Sequence, residues 1–72
     1  MAPEELGKTI REARREAGLT QAQVAAAAGV GLRFLIELEA GKPTAQLGKT
    51  LAVLSILGCR LRIDAPPKIT AW

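Results

Sequence analysis

The sequence predicts an all-α fold of four to five short helices, followed by a single β-strand near the C-terminal end. Apolar residues recur at helical spacing through most of the chain. Glycines follow each such run, at Gly18, Gly29, Gly41 and Gly58, where helices commonly end. Residues 59–64 instead alternate apolar and charged side chains, as a strand does. A length of 72 residues allows one domain.

The first helix is predicted over residues 3–17. Proline needs no amide hydrogen in a first helical turn, and acidic side chains favour the positive end of the helix dipole, which suits Pro3, Glu4 and Glu5. Gly18 is a natural stop.

The second helix begins at a strong start signal. The hydroxyl of Thr20 can cap the backbone of Gln23, whose side chain can return the hydrogen bond. This helix runs through four consecutive alanines and ends at Gly29.

The third segment, residues 32–40, is ambiguous from its pattern. Its leucine, phenylalanine and isoleucine positions alternate as in a strand, whereas Leu35 and Leu38 mark a helical face. We favour a helix because glycines bracket the segment and its glutamates prefer that state.

The fourth helix is predicted to start at Pro43-Thr44, with Thr44 as its cap, and to end at Gly58. Its apolar residues form two stripes. So wide an apolar face exceeds what three other short helices can cover.

The alternating segment that follows has Cys59, Leu61 and Ile63 on one face. One strand cannot satisfy its own backbone hydrogen-bonding groups, and the chain offers no second strand. The same segment of a second copy is the expected partner, antiparallel about a two-fold axis. These three residues are therefore predicted to form the dimer contact.

Composition excludes several classes of protein. The chain has one cysteine and no histidine, which rules out a disulfide framework and a Cys/His zinc site. No nucleophile-base pair or phosphate-binding glycine loop is present, so we expect no enzyme activity, catalytic residue, metal or cofactor. The longest apolar run is too short for a membrane span and the N-terminus is unlike a signal peptide, so we expect a cytoplasmic protein. A net charge of +3 is compatible with nucleic-acid binding.

Two short helices joined by a tight turn, the first lined with alanine, describe a helix-turn-helix. Methyl side chains at Ala25 and Ala28 allow the two helices to cross closely. The second helix is then held rigidly and can project into a DNA major groove.

The stretch GLTQAQVAAAAGVGLRFLIELEAGK resembles the phage-repressor-like (Cro-type, XRE) helix-turn-helix family, which has a lambda-repressor-like fold. The resemblance covers roughly residues 6–58. With the LGCRLRID segment and a tail ending in Trp72, the chain is most similar to HipB-type antitoxins. This resemblance implies a homodimeric repressor that binds double-stranded operator DNA and neutralises a HipA-like serine/threonine kinase toxin.

The resemblance also implies which residues contact DNA. Arg33 would bind a guanine edge or a phosphate. Gly31 and Leu32 match the neighbouring base-facing positions, where other family members have polar residues; Leu32 could pack on a thymine methyl group. Gln21 is expected at a phosphate and Lys42 at the DNA backbone, whereas capping alone can explain Thr20. The expected DNA-binding set is Thr20, Gln21, Gly31, Leu32, Arg33 and Lys42.

Two further residue roles follow from the resemblance. Arg14 and Glu39 would form a partly buried salt bridge between the first and third helices. Trp72 would contact the toxin, although a frayed terminus is the simpler explanation. The predicted organisation is thus a DNA-binding domain over 1–58, a dimerisation strand over 59–64 and a flexible tail over 65–72.

Two alternatives stay open at this point. The first is a stand-alone repressor without a toxin partner. The second is a protein-binding module that uses the same fold without contacting DNA, which Gly31 and Leu32 favour because neither side chain can bind a base through two hydrogen bonds.

Overall fold

Four helices make up the fold in the computed structural model, which describes residues 1–66. They are α1 (Pro3–Glu16), α2 (Gln21–Ala28), α3 (Leu32–Glu39) and α4 (Leu47–Ile56). The ambiguous third segment is a helix, as predicted. Within the described residues, no helix has the length and apolar character needed to cross a membrane.

The start and end of α2 are those that the sequence predicts. The Thr20 hydroxyl accepts a hydrogen bond from the amide of Gln23 at 3.1 Å, and the Thr20 amide donates to the Gln23 side chain at 2.8 Å. Gly29 ends the helix in the left-handed conformation, with φ of 70°. Local side-chain chemistry therefore determines both boundaries of this helix.

The predicted start of α4 was wrong. Thr44 does not cap the helix; α4 begins at Leu47 with Gln46 as its N-cap residue, which makes no side-chain cap hydrogen bond. The amide and hydroxyl of Thr50 both donate to the carbonyl oxygen of Gln46, at 3.0 and 2.8 Å. Ala45 packs against the core in the connection before the helix. Partly buried Ala45 therefore belongs to the connection, and α4 begins four residues after Pro43.

The core lies where the four helices meet. Helix α3 packs against both α1 and α2, and α2 packs against α4. The fully enclosed side chains are aliphatic, which gives the hydrophobic effect its main contribution to stability. The buried apolar residues are Ile10, Val24, Ala25, Leu35, Leu38, Val53 and Leu54.

A glycine that the sequence analysis did not single out sets the distance between α1 and α3. Gly7 is buried in α1, and a Cβ atom built on it would lie 2.5 Å from the carbonyl oxygen of Leu38 and 2.6 Å from that of Glu39. These atoms are backbone and cannot rotate away. Only glycine therefore allows α1 to approach the C-terminal end of α3 this closely.

The segment after α4 corrects the predicted strand. In the described single chain, residues 59–64 form neither a helix nor a paired strand. Cys59, predicted at the dimer contact, donates its amide to the Leu54 carbonyl at 2.9 Å and packs partly buried against its own core. By contrast, Leu61 is 46% exposed and Ile63 is 84% exposed. The alternation predicted a strand, which was wrong for the single chain, because residues 1–66 provide no neighbouring strand for it.

The width of the apolar face on α4 has the predicted consequence. Val53 and Leu54 are buried, whereas Leu47, Leu51 and Ile56 are exposed. The domain therefore presents apolar surface on α4 close in sequence to the exposed Leu61 and Ile63.

We predict opposite effects of adding one methyl group at two helical glycines. Gly7→Ala should destabilise the fold by about 1–3 kcal/mol, because the methyl group would overlap the α3 backbone. Gly48→Ala, in α4, has open space around it and should stabilise the fold by about 0.5–1 kcal/mol. Chemical denaturation of both variants tests this. Equal effects would show that helix propensity, and not the close approach, governs Gly7.

Candidate nucleic-acid interface

One side of α3 faces away from the core, and we call it the outer face of α3. It consists of Leu32, Arg33, Ile36 and Glu37, which repeat at helical spacing. The Arg33 side chain is 87% exposed, while Leu32 and Ile36 are each nearly half exposed. On the opposite side of the helix, Leu35 and Leu38 are buried. The burial of those two leucines fixes which side of α3 remains available to a partner.

An ion pair fastens α3 to α1, as the resemblance implied. The Arg14 guanidinium donates two hydrogen bonds to the Glu39 carboxylate, from Nε at 2.8 Å and from Nη2 at 3.1 Å. Its Nη1 atom donates to the Leu19 carbonyl at 2.9 Å. The two side chains are only 12% and 4% exposed, so water screens the pair weakly. Such two-point geometry orients both side chains.

The Glu39 hydrogen bond raises the pKa of Arg14 above its ordinary value, and the charge attraction of Glu39 adds to this. Desolvation of the guanidinium acts in the opposite direction but does not prevail. The Arg14 guanidinium therefore stays protonated beside the Glu39 carboxylate.

A third side chain joins this pair. Nε2 of Gln21 donates to Oε1 of Glu39 at 3.1 Å, so Glu39 connects α1, α2 and α3. We call Arg14, Gln21 and Glu39 the Glu39 cluster. Gln21 was predicted only at DNA, and this intramolecular partner was not predicted because the two residues lie 18 positions apart in the chain. The hydrogen bond between Gln21 and Glu39 is compatible with a second contact of Gln21 to a DNA phosphate.

The Glu39 cluster borders the outer face of α3. Gln21 and Ile36 line the same open groove, together with Arg11 and Ala40. The start of α2 is thus adjacent to the outward side of α3. Thr20, which precedes Gln21, is exposed and uses its side-chain oxygen in the α2 cap.

The remaining predicted DNA-binding residues lie around the start and end of α3. Gly31 is the N-cap residue of α3, exposed and in extended conformation. Lys42 follows the helix, and its ammonium group lies 3.2 Å from a carboxylate oxygen of Glu37. Trp72, the predicted toxin contact, lies outside the described residues.

Glu37 is the residue of the outer face that the sequence analysis missed. Its carboxylate lies between two cations, 3.2 Å from Nζ of Lys42 and 3.9 Å from Nε of Arg33. The spacing of four residues between Arg33 and Glu37 was a signal in the sequence for this pairing. The structure therefore brings Arg33 and Lys42 together around an acid.

These elements define the class of protein. Two eight-residue helices, α2 and α3, are joined by a short turn that starts with left-handed Gly29, and the second helix exposes one side. This is the helix-turn-helix arrangement.

Comparison with known proteins agrees with the geometry. Residues 10–63 match the helix-turn-helix family model, and this protein belongs to that family. It is similar to the uncharacterized HTH-type transcriptional regulator y4mF of Sinorhizobium fredii (strain NBRC 101917 / NGR234). The two are 55% identical over 64 residues, which cover 89% of this chain and 84% of the relative.

We predict that Glu39→Gln destabilises the fold by about 3–5 kcal/mol, because it leaves the Arg14 charge buried without a counter-ion. The same substitution two positions earlier, Glu37→Gln, is the matched control. It breaks only exposed ion pairs and should cost about 0–1 kcal/mol. Urea denaturation of both variants makes the comparison. Equal losses would show that burial does not distinguish the two glutamates.

Proposed function

We propose that this protein is a sequence-specific DNA-binding transcriptional repressor without catalytic activity, working in the cytoplasm on double-stranded operator DNA. The observation that carries the proposal is the outer face of α3, on which the Arg33 side chain is 87% exposed. The Glu39 cluster holds the same helix against α1 and α2. Membership of the helix-turn-helix family and similarity to a transcriptional regulator support it.

In this proposal the outer face of α3 enters the major groove. Arg33 donates two hydrogen bonds to guanine O6 and N7, and Leu32 packs on a thymine methyl group. Gly31, at the start of the helix, allows close approach of the backbone. The groove-entering helix has its N-terminal end toward the bases, which is the usual docking geometry of this motif.

Phosphate contacts come from residues beside α3. Gln21 uses one amide hydrogen on Glu39, and its Nε2 atom has a second hydrogen to donate to a phosphate. Thr20 and Lys42 contact the backbone on the two sides of the recognition helix. A net charge of +3 favours association with the polyanion.

We further propose that two copies pair through residues 59–64, with Leu61 and Ile63 at the contact. Support comes from their exposure and from the exposed Ile56 at the end of α4. Among the described residues, the backbone of 60–66 makes no hydrogen bond to the rest of the domain, so its donors and acceptors are available for a strand partner. A two-fold dimer would present two α3 helices to a palindromic operator.

The proposed role in DNA binding predicts that Arg33→Ala weakens operator binding about 5- to 150-fold while the fold stays intact, because a two-point guanine contact is lost. Arg15→Ala, at an exposed position of α1, is the control for the loss of one positive charge. Binding is measured by fluorescence anisotropy with operator-length duplexes across salt concentrations, and folding by circular dichroism.

Two results would contradict this role. Unchanged affinity of Arg33→Ala would remove the residue from the interface. Absence of DNA binding by the unmodified protein even at low salt would favour the protein-binding module, since phosphate contacts strengthen as salt falls.

The proposed dimer predicts that Leu61→Lys yields monomers or unfolded chains. Ala26→Lys, which adds the same charge at an exposed position of α2, should leave the dimer intact. Sedimentation equilibrium distinguishes the 7.6 kDa chain from a species of twice that mass. A stable Leu61→Lys dimer would rule out pairing through this segment.

An antitoxin role of the HipB type is a further proposal. Its support is the resemblance in residues 59–64 and in the tail that ends at Trp72. A partner of this type would be a HipA-like kinase. A repressor without such a partner accounts equally well for the family and for α3.

The antitoxin proposal predicts that a kinase co-purifies with the protein when both are expressed from their native locus. Deletion of residues 66–72 should then weaken kinase binding while operator affinity stays the same. Pull-down and anisotropy measurements on the same preparation give the two readouts. A stand-alone repressor would co-purify with no kinase.

A further inference from the structure

The outer face of α3 carries an acid at a place where the proposed function would put DNA. Glu37 is 38% exposed, so it is open to solvent, unlike Glu39 on the same helix at 4%. A carboxylate facing a polyanion is repelled unless a hydrogen-bond donor meets it. Glu37 lines a surface pocket with Phe34 and Leu38, and its ion-pair partners Arg33 and Lys42 are both exposed.

The ion pairs of Glu37 hold the two cations only weakly. Exposed pairs of this kind contribute little to stability, so either cation can leave for a stronger partner. On DNA, Arg33 would move to guanine and Lys42 to a phosphate. Glu37 would then lose both of its partners at the same time.

We propose that Glu37 determines operator specificity by accepting a hydrogen bond from the 4-amino group of a cytosine in each half-site. This inference rests on the proposed function. Base edges in the major groove offer two amino donors, cytosine N4 and adenine N6. Adenine also presents N7, an acceptor that repels a carboxylate, whereas cytosine presents N4 alone. Guanine and thymine present acceptors, so Glu37 disfavours both.

The spacing in α3 places the cytosine relative to the guanine that Arg33 binds. Four residues of helix rise about 6 Å, which is close to two base-pair steps of about 3.4 Å each. Arg33 and Glu37 therefore select a guanine and a cytosine within about two steps of each other. In the free protein, the Glu37 carboxylate lies 3.9 Å from Nε of Arg33, whose side chain is 87% exposed.

The test is selection of binding sites from a random duplex library by the full protein and two variants. Glu37→Gln removes the acid, and Glu12→Gln removes an exposed acid from α1 as the control for overall charge. The unmodified protein and Glu12→Gln should select both the guanine and the cytosine. Glu37→Gln should keep the guanine and lose a cytosine preference of about 5- to 150-fold, the usual cost of one mismatched base pair.

A second measurement addresses the amino group itself. The selected cytosine is replaced by pyrimidin-2-one, which lacks the 4-amino group, in a duplex bound by the unmodified protein and by Glu37→Ala. The unmodified protein should lose affinity on this replacement, and Glu37→Ala should lose no more. The same replacement outside the half-site should change neither.

The outcomes separate this inference from the proposed function. If Glu37→Gln keeps the cytosine preference, or if the preferred base is adenine, the assignment of Glu37 is overturned while the repressor stands. If Glu12→Gln reduces the cytosine preference as much as Glu37→Gln does, overall charge explains the loss and the assignment of Glu37 is overturned. If the unmodified protein selects no sequence, both proposals fail.

Discussion

The buried ion pair between Arg14 and Glu39 is the interaction on which the position of α3 depends. Its carboxylate is shared with Gln21, so three helices meet at one charged group that is only 4% exposed. For a chain of 72 residues, the whole free energy of unfolding is about 4–11 kcal/mol. An unpaired buried charge at this point would cancel a large part of this free energy of unfolding. Removal of either partner is therefore costly, and the two hydrogen bonds of the pair orient α3 against α1.

Close packing beside the pair makes that orientation precise. Gly7 brings the α1 backbone against the carbonyl groups of Leu38 and Glu39, and Arg14 of the same helix binds the Glu39 side chain. A larger residue at Gly7 would move the end of α3 outward and lengthen the hydrogen bonds of the cluster. Steric contact and charge thus act on the same turn of α3. Both hold α3 on the side opposite its outer face.

Local signals predicted the parts of the fold that local chemistry determines. The capping box at Thr20, the left-handed Gly29 and the burial of Leu35 and Leu38 follow from spacing alone. Contacts between distant residues were not accessible in this way. The close approach at Gly7, the Gln21–Glu39 hydrogen bond and the late start of α4 at Leu47 depend on how helices pack. The pairing of Glu37 with Arg33 could be predicted from their spacing of four residues, whereas its contact with Lys42 depends on the fold of the loop after α3.

The segment that follows α4 shows why the proposed dimer and the proposed DNA contact belong together. A domain of this size buries only about 60% of its unfolded surface, and here Leu61 and Ile63 stay exposed. Pairing two copies would bury these side chains and use backbone groups that have no partner among the described residues. It would also fix the distance between two α3 helices. In a monomer the outer face of α3 would offer few base contacts, and the affinity for one half-site would be low; the proposed two-fold pair would bind both half-sites as one unit.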